Sequence, residues 1–176
     1  MVRNCQTNTD TDEVSFHPSC ETYEFELADF QKQAITGIEQ DKNVLITAHT
    51  GSGKTLPAEH AIKKYCGDSS LFDGTVKRKK VIYTAPIKAL SNQKFKDFTE
   101  KFPEISFGIL TGDIKFNPEA DCIIMTTEIL RNTLFQRKSI NAETLEKDKT
   151  TLHFEMDVDN ELACVVFDEV HYINDA

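Results

Sequence analysis

The pattern of apolar and polar positions alternates between short β-branched runs and longer segments with helical spacing. Helical spacing is found at 30–40, after Lys54, at 87–101 and at 127–135. The short apolar runs are NVLITA (43–48), VIYTA (81–85), ISFGIL (105–110), DCIIMT (121–126) and LACVVF (162–167). Strands separated by helices of about 10 to 15 residues are typical of right-handed βαβ units. The pattern predicts a doubly wound α/β fold, in which a mostly parallel sheet has helices on both faces.

Two segments depart from this alternation. Residues 1–22 are polar without apolar periodicity, which predicts a mobile N-terminal arm ahead of a domain at 23–176. Between 137 and 161 a charged stretch is followed by period-two alternation from Leu152 to Val158. We expect an insertion hairpin there, with a tight turn at Asp159 and Asn160. A solvated loop with accidental alternation is the alternative.

Composition limits the number of domains and the cellular compartment to be expected. A chain of 176 residues, 39% of them hydrophobic, is long enough for one domain with a single core. The five cysteines are widely spaced and form no CxxC pair, so a disulfide framework or structural zinc site is not indicated. No apolar run approaches the roughly 20 residues of a membrane span. We expect an intracellular protein, cytoplasmic or nuclear, without a membrane partner.

The net charge of −9 argues against wrapping of nucleic acid by many basic residues. It leaves room for local contacts, because backbone amides, helix N-termini and hydroxyls bind phosphates without changing the net charge.

The stretch AHTGSGKT (48–55) carries the clearest chemistry. Ala48, Gly53, Lys54 and Thr55 fit the spacing of a P-loop, with Ala in place of the more usual first Gly. A strand, loop and helix in this order turn amides toward the β-phosphate, bring Lys54 to the β/γ oxygens and offer the Thr55 hydroxyl to Mg²⁺. Pro57 falls in the first helical turn, where its missing N–H costs little. A glycine-rich turn without a ligand is the alternative.

A second metal anchor comes after the last apolar run, in FDEVH (167–171). Asp168 at the carboxyl end of a strand is the expected partner of Mg²⁺, directly or through water. Glu169 can orient and deprotonate the attacking water. An acidic pair in a solvated turn is the alternative.

Five motifs in this order resemble those of the superfamily 2 DExH-box helicases. They are AHTGSGKT (48–55), TAPIKALSNQK (84–94), LTGD (110–113), IMTTEIL (124–130) and DEVHYIND (168–175). The amino-acid sequences of the second and fifth motifs are most similar to those of the superkiller-type RNA helicases that assist the exosome. The resemblance covers 23–176 and implies the first RecA-like P-loop NTPase domain, incomplete after the DEVH motif. It also implies ATP and Mg²⁺ as cofactors and, in intact members, 3′-to-5′ unwinding or translocation.

The resemblance assigns roles to single residues around the nucleotide. Lys54, Asp168 and Glu169 would be catalytic, and His171 would couple the nucleotide state to a second domain and nucleic acid. FELADFQKQAI (25–35) resembles the element that recognises adenine, with Phe25 stacking on the base and Gln31 bonding its edge. Core packing is the alternative for Phe25. The implied nucleotide-binding residues are Phe25, Gln31, His49, Thr50, Gly51, Ser52, Gly53, Lys54 and Thr55.

The middle motifs would form one face that grips single-stranded nucleic acid by its phosphates, without regard to sequence. The implied contacts are Pro86, Lys88, Thr111, Gly112, Thr126 and Thr127. Each also suits an ordinary turn, helix cap or solvated charge. RNA in preference to DNA rests on the subfamily resemblance alone.

The family's Ser-Ala-Thr motif and second RecA-like domain do not follow DEVH within these residues. None of the four arginines (Arg3, Arg78, Arg131 and Arg137) stands in a pattern like the family's finger motif. We therefore expect this chain by itself to bind ATP, to hydrolyse it hardly at all and to unwind nothing, since an arginine finger contributes roughly 10³ to 10⁵ in rate. Two alternatives stay open: another P-loop enzyme, such as a small-molecule kinase or DNA translocase, and a non-catalytic nucleotide-binding module.

Overall fold

The computed structural model describes residues 16–67, 79–139, 156 and 158–175. The chain forms two compact units, Met1–Pro57 and Ala58–Ala176. Most of the predicted sheet lies in the second unit, and the glycine-rich loop lies in the first.

The first unit is built on helix α1, Asp29–Glu39. Asp29 in its first turn suits the positive end of the helix dipole. Ala34 and Ile35 are buried, which confirms the predicted helix at 30–40 and its apolar face. A 3-10 helix, Pro18–Thr22, precedes it. Residues 18–22 of the predicted arm thus have regular structure, and its residues 1–15 lie outside the described residues.

The predicted strand before the glycine-rich loop is wrong in this structure. Residues 42–49 have no regular secondary structure, and Val44 and Leu45 are 40% and 77% exposed. A strand is stabilised by hydrogen bonds and side-chain contacts with a neighbouring strand. Within the described residues no strand pairs with this segment. An apolar run is therefore not sufficient to form a strand here.

Helix α2, Thr55–Cys66, begins directly after the loop, as the sequence predicts. Pro57 is its third residue, and the first four N–H groups of a helix have no intrahelical acceptor. The expected tolerance of Pro57 is confirmed.

The second unit contains a five-stranded sheet of order β3-β2-β4-β1-β5. Its strands are β1 (Lys80–Ala85), β2 (Phe107–Leu110), β3 (Lys115–Phe116), β4 (Cys122–Thr126) and β5 (Leu162–Phe167). The long helices that come after β1 and β4 are α3 (Lys88–Lys101) and α4 (Thr127–Ser139). All pairings are parallel except that of β3 with β2. The mostly parallel α/β sheet predicted from the sequence is confirmed.

Two apolar clusters cover opposite faces of this sheet. Because side chains alternate along a strand, Val81 and Tyr83 lie on one face and Ile82 on the other. The first cluster joins Tyr83 to Phe98 of α3 and Ile62 of α2. The second joins Ile82 to Met125 of β4 and Leu130 of α4. Helices on both faces make the fold doubly wound.

The C-terminal part differs from the prediction in detail. Val158–Glu161 form a short helix, α5, directly before β5. The expected tight turn at Asp159 and Asn160 is therefore wrong, because these residues continue a helical turn. The rest of the predicted hairpin, at 140–155 and 157, lies outside the described residues. The two-residue strand β3 was not predicted, since only its pairing with β2 defines it.

A search of the described residues found no helix with the length and apolar character needed to cross a bilayer.

We predict that Leu130→Ala lowers the free energy of unfolding by about 2–5 kcal/mol, because it leaves a cavity beneath α4. Leu134 lies one turn further along the same helix and is 41% exposed. Leu134→Ala should change the free energy of unfolding by less than about 1 kcal/mol. Urea unfolding monitored by circular dichroism measures both. Equal losses in the two variants would contradict the packing of α4 on this face.

Candidate functional site

The glycine-rich loop is shaped by two residues in the left-handed region of backbone space. Gly51 and Gly53 have φ values of 82° and 83°. L-residues with side chains adopt such angles rarely, so glycine is needed at both positions. A Cβ added at Gly53 would also lie 2.6 Å from Nε2 of Gln31, whereas one added at Gly51 would meet no atom within 4 Å. Space beside Gly51 is therefore open.

Lys54 places a positive charge against this loop. Its Nζ donates hydrogen bonds to the carbonyl oxygens of Ala48 and His49, at 2.8 and 2.9 Å. The Ser52 amide also bonds to the carbonyl of His49, at 3.3 Å. The ammonium thus lies over the turn that the glycines form. The predicted placement of Lys54 at the loop is seen in its backbone contacts.

The donors of the loop fit a polyphosphate. Within the described residues the Ser52 hydroxyl is buried and has no hydrogen-bond partner. A buried polar group without a partner is costly, and a bound acceptor would satisfy it. The Lys54 ammonium and the start of α2 add positive potential at the same loop. The loop therefore has the chemistry to hold phosphate oxygens.

Gln31 joins α1 to the loop. Its Oε1 accepts from the Ala28 amide at 2.9 Å, and its Nε2 donates to the Gly53 carbonyl at 3.1 Å. Gln31 is buried. These contacts give Gln31 a role in supporting the loop, which the sequence did not indicate. Its predicted contact with adenine stays a prediction.

Phe25, the other predicted adenine contact, presents an exposed ring. The side chain is 57% exposed and contacts Tyr23 edge to face, with ring centroids 5.7 Å apart. An exposed ring that is held by a neighbour can stack on a base. The alternative of a buried core position for Phe25 is wrong in this structure.

In the second unit, the strand ends gather the other predicted residues. Ala85 pairs with Thr126, Leu110 with Met125, and Thr84 with Phe167. Parallel strands point the same way, so the segments that leave β1, β2, β4 and β5 begin at one edge of the sheet. The structure brings together there the predicted residues Pro86, Lys88, Thr111, Gly112, Thr126, Thr127, Asp168, Glu169 and His171.

Lys88 and the LTGD turn are in direct contact. The Nζ of Lys88 lies 3.0 Å from Oδ1 of Asp113, and a Cβ added at Gly112 would lie 3.4 Å from the same Nζ. The hydroxyl of Thr111 donates to Oδ1 of Asp113 at 2.9 Å. The hydrogen bond from Lys88, together with a smaller effect of that from Thr111, lowers the pKa of Asp113. Lys88 and Gly112 are exposed, whereas Thr111 is buried.

The two threonines at the end of β4 and the start of α4 differ in accessibility. Thr126 is buried at the end of the strand. Thr127 begins α4, is partly exposed, and its hydroxyl donates to the carbonyl of Ala85 at 3.4 Å. Pro86 is also partly exposed. The exposed part of this surface thus consists of Lys88 and Gly112, with Pro86 and Thr127 at partial exposure.

Asp168 is held by groups that come from β1 and α3. Its amide donates to the Thr84 carbonyl at 2.9 Å, which extends the pairing of β5 with β1 by one residue. The Tyr83 hydroxyl donates to Oδ2 of Asp168 at 2.5 Å, and Nζ of Lys94 lies 3.8 Å from the same oxygen. Burial raises the pKa of Tyr83, and the hydrogen bond to Asp168 raises it further. Tyr83 therefore stays protonated and is the donor.

Glu169 and His171 lie in an exposed turn after Asp168. Glu169 has a φ of 50°, unusual for a residue with a side chain, and its amide bonds to Oδ1 of Asp168 at 3.0 Å. Nδ1 of His171 lies 3.3 Å from Oε2 of Glu169. The His171 ring also contacts Tyr172, with centroids 4.7 Å apart. The two acidic side chains thus have different partners, and their separate roles stay a prediction.

The sequence alone did not single out Tyr83, Lys94 and Asp113. Tyr83 is a normal residue of a buried strand, and Lys94 has the spacing of a solvated helix charge. A signal existed for Asp113, which is part of LTGD, and for Lys94, which ends TAPIKALSNQK. The contacts of all three depend on strands and helices that are distant in sequence.

The residues present also fit a magnesium ion. Carboxylate oxygen is a ligand that Mg²⁺ prefers, and the ion is usually held by one or two carboxylates with phosphates and water. Among the described residues there is no cluster of three or more His, Cys, Asp or Glu suited to a metal. Asp168 with a nucleotide requires no such cluster. Thr55 belongs to the first unit and Asp168 to the second, and their sharing of one ion stays a prediction.

Most of this chain is similar in sequence to known helicases. A model of the DEAD/DEAH box helicase family matches residues 28–176. The chain is 42% identical over 164 residues to the antiviral helicase SKI2 of Saccharomyces cerevisiae, covering 93% of this chain and 11% of that protein. It is 47% identical over 152 residues to superkiller complex protein 2 of Mus musculus, covering 86% and 10%. It is 39% identical over 158 residues to the ATP-dependent RNA helicase mtr4 of Schizosaccharomyces pombe, covering 90% and 12%.

The chain therefore spans about a tenth of the length of these relatives. The family match covers most of the chain and includes the glycine-rich loop, the strand ends and the DEVH turn. The chain belongs to the DEAD/DEAH box helicase family.

Proposed function

We propose that this chain is the ATP-binding part of an ATP-dependent RNA helicase, a nucleic-acid-dependent ATPase that unwinds or translocates along RNA in the 3′-to-5′ direction. The observation that carries the proposal is the loop at 48–55, with its two left-handed glycines, buried Ser52 hydroxyl and Lys54 ammonium. Relatives named as RNA helicases align with most of this chain. Bound ATP would supply the phosphoryl group, and Mg²⁺ would help to neutralise the negative charge that develops on it.

The protein's own residues would divide the work between binding and hydrolysis. The amides of Gly51 to Gly53 and the Lys54 ammonium would hold the phosphates, and Thr55 and Asp168 would hold the cation. Glu169 would orient the attacking water and accept its proton. His171, which lies against Glu169, would relay the nucleotide state to nucleic acid and a second domain.

The strand ends support a nucleic-acid surface. Lys88, Gly112 and Thr127 lie at the carboxyl edge of the sheet with Pro86, and Thr111 and Thr126 lie buried behind them. Such a surface would contact the phosphates of a single strand and would be indifferent to base sequence. The preference for RNA over DNA is supported by the names of the relatives. A DNA translocase is the competing proposal.

We predict that Lys54→Ala weakens Mg·ATP binding by on the order of 1.5 to 3 kcal/mol, because a charge-assisted contact to phosphate is lost. Lys42→Ala is the matched control, since Lys42 is exposed and precedes the loop in the same unit. Isothermal titration calorimetry measures both affinities. Equal affinities in Lys54→Ala and the unmodified chain would remove the P-loop assignment.

Adenine recognition is tested with Gln31→Ala. We expect this variant to reduce the preference for ATP over GTP, because a hydrogen bond specific to the adenine edge is lost. It should also weaken the binding of both nucleotides, since Gln31 donates a hydrogen bond to the Gly53 carbonyl in the loop. Gln33→Ala is the control, as Gln33 is exposed on the same helix. If the ratio of ATP to GTP affinity stays constant while both fall, Gln31 supports the loop and does not recognise adenine.

The nucleic-acid surface is tested with Lys88→Ala. A lost phosphate contact should weaken binding of a single-stranded oligonucleotide equally for all sequences and make the negative slope of log K against log salt shallower by about 0.7. Lys96→Ala, an exposed charge elsewhere on α3, serves as the comparison. Fluorescence anisotropy with matched RNA and DNA strands gives both slopes and the preference. Tighter binding of DNA than of RNA would favour the translocase, and equal slopes for Lys88→Ala and Lys96→Ala would exclude the contact.

A further inference from the structure

Tyr83 is a buried residue whose hydroxyl reaches the DEVH motif. The side chain is 1% exposed, and its ring packs edge to face on Phe98, with centroids 5.2 Å apart. Tyr83 pairs in register with Val166 of β5. Since residues two apart share a face of a strand, Asp168 lies beyond Val166 on the side where Tyr83 lies. The ring is therefore held rigidly beneath the carboxylate.

The Tyr83 hydroxyl orients the Asp168 carboxylate. A hydrogen bond to an ionised acceptor is short and strong, and the distance of 2.5 Å to Oδ2 fits this class. A buried tyrosine hydroxyl needs a partner, and here the partner is a carboxylate at the mouth of the sheet. The Glu169 amide binds the other oxygen, Oδ1. Both oxygens are thus oriented from the protein side.

Lys94 acts on the same oxygen in a different way. Its Nζ lies 3.8 Å from Oδ2, beyond hydrogen-bond distance, and its side chain is 18% exposed. The ammonium also lies 6.0 Å from the ring centroid of Tyr83. A compact ammonium on a flexible stem attracts the carboxylate without fixing its angle. The Lys94 ammonium would therefore repel a cation bound at Oδ2, whereas the neutral Tyr83 hydroxyl would not.

We propose that Tyr83 is a positioning residue for Asp168: its hydroxyl fixes the orientation of the carboxylate and thereby strengthens the binding of a divalent cation by the remaining lone pairs. This inference rests on the proposed function. A carboxylate has about four lone-pair sites, of which Tyr83 and the Glu169 amide use two. The Asp168 side chain is 26% exposed, so the other sites are accessible. Without the hydroxyl, Oδ2 would be drawn toward the Lys94 ammonium, 3.8 Å away.

A purely structural role for Tyr83 makes a different prediction. If the hydroxyl only stabilised the core, its removal would weaken nucleotide binding equally with and without Mg²⁺. If it positions Asp168, the loss appears only when Mg²⁺ is present. The ratio of nucleotide affinity in Mg²⁺ to that in EDTA, the magnesium enhancement, separates the two roles.

The experiment compares magnesium enhancement in four single variants and one double variant of the full chain, by calorimetry with a non-hydrolysable ATP analogue. Tyr83→Phe keeps the ring and loses only the hydroxyl, and we expect its enhancement to fall by about tenfold. Tyr65→Phe is the matched control, a tyrosine packed against the same core cluster. Lys94→Gln keeps the hydroxyl and removes the repelling charge, so its enhancement should equal or exceed that of the unmodified chain. In Asp168→Asn, adding Tyr83→Phe should have no further effect, because the hydroxyl acts through the carboxylate.

The outcomes distinguish this inference from the proposed function. An unchanged enhancement in Tyr83→Phe, an equal loss in EDTA and Mg²⁺, or additive losses with Asp168→Asn would each overturn the positioning role. A loss in Lys94→Gln as large as that in Tyr83→Phe would also overturn it, since charge and not direction would then matter. If Tyr83→Phe does not fold, as judged by circular dichroism, the Lys94→Gln result decides. An unmodified chain that binds no nucleotide in either buffer would overturn the proposed function and this inference together.

Discussion

The parallel pairing of β1 with both β4 and β5 is the constraint on which the strand-end residues of the second unit depend. Register matches Ala85 to Thr126 and Thr84 to Phe167, so the segments that leave these strands emerge at one edge. A slip of one residue would turn each side chain to the opposite face. The two apolar clusters oppose such a slip, because each requires its own alternate set of strand residues.

This register also brings a polar contact to the border of the core. Tyr83 is buried against Phe98, yet its hydroxyl meets Asp168 at the end of the adjacent strand. A carboxylate near an apolar core is tolerated because hydrogen bonds and a nearby ammonium compensate for its lost hydration. The same contacts restrict its orientation. Stability of the sheet and geometry of the DEVH turn are thus linked through one side chain.

The loop in the first unit depends on backbone conformation more than on packing. Gly51 and Gly53 adopt angles that disfavour other residues, and Gln31 braces the Gly53 carbonyl. Gln31 is therefore tied to the loop through a contact 22 residues away in sequence. Because the loop is preorganised, it loses less conformational entropy when an anion binds, which is the general advantage of such sites. Its donors include a buried hydroxyl and an ammonium, a set suited to phosphate.

The sequence by itself determined the α/β class, α1 to α4, the four longer strands and the residues of the glycine-rich loop. Local signals suffice for these features: apolar periodicity for the elements, and glycine, lysine and threonine at fixed spacing for the loop. Local signals failed at 42–49, at Asp159 and Asn160, and at β3. Whether 42–49 or β3 forms a strand depends on a neighbouring strand. The presence or absence of a local apolar run does not show whether such a neighbour exists.

Only the tertiary structure decided which side chains meet. It joined Tyr83 and Lys94 to Asp168, Lys88 to Asp113, and Gln31 to Gly53. It also buried Thr111 and Thr126, although the motifs predict a ligand contact for both, and it left Phe25 exposed, where a core position was the alternative. The physical reason is that hydrogen bonds and burial depend on distances between elements remote in sequence, which neither spacing nor propensity encodes.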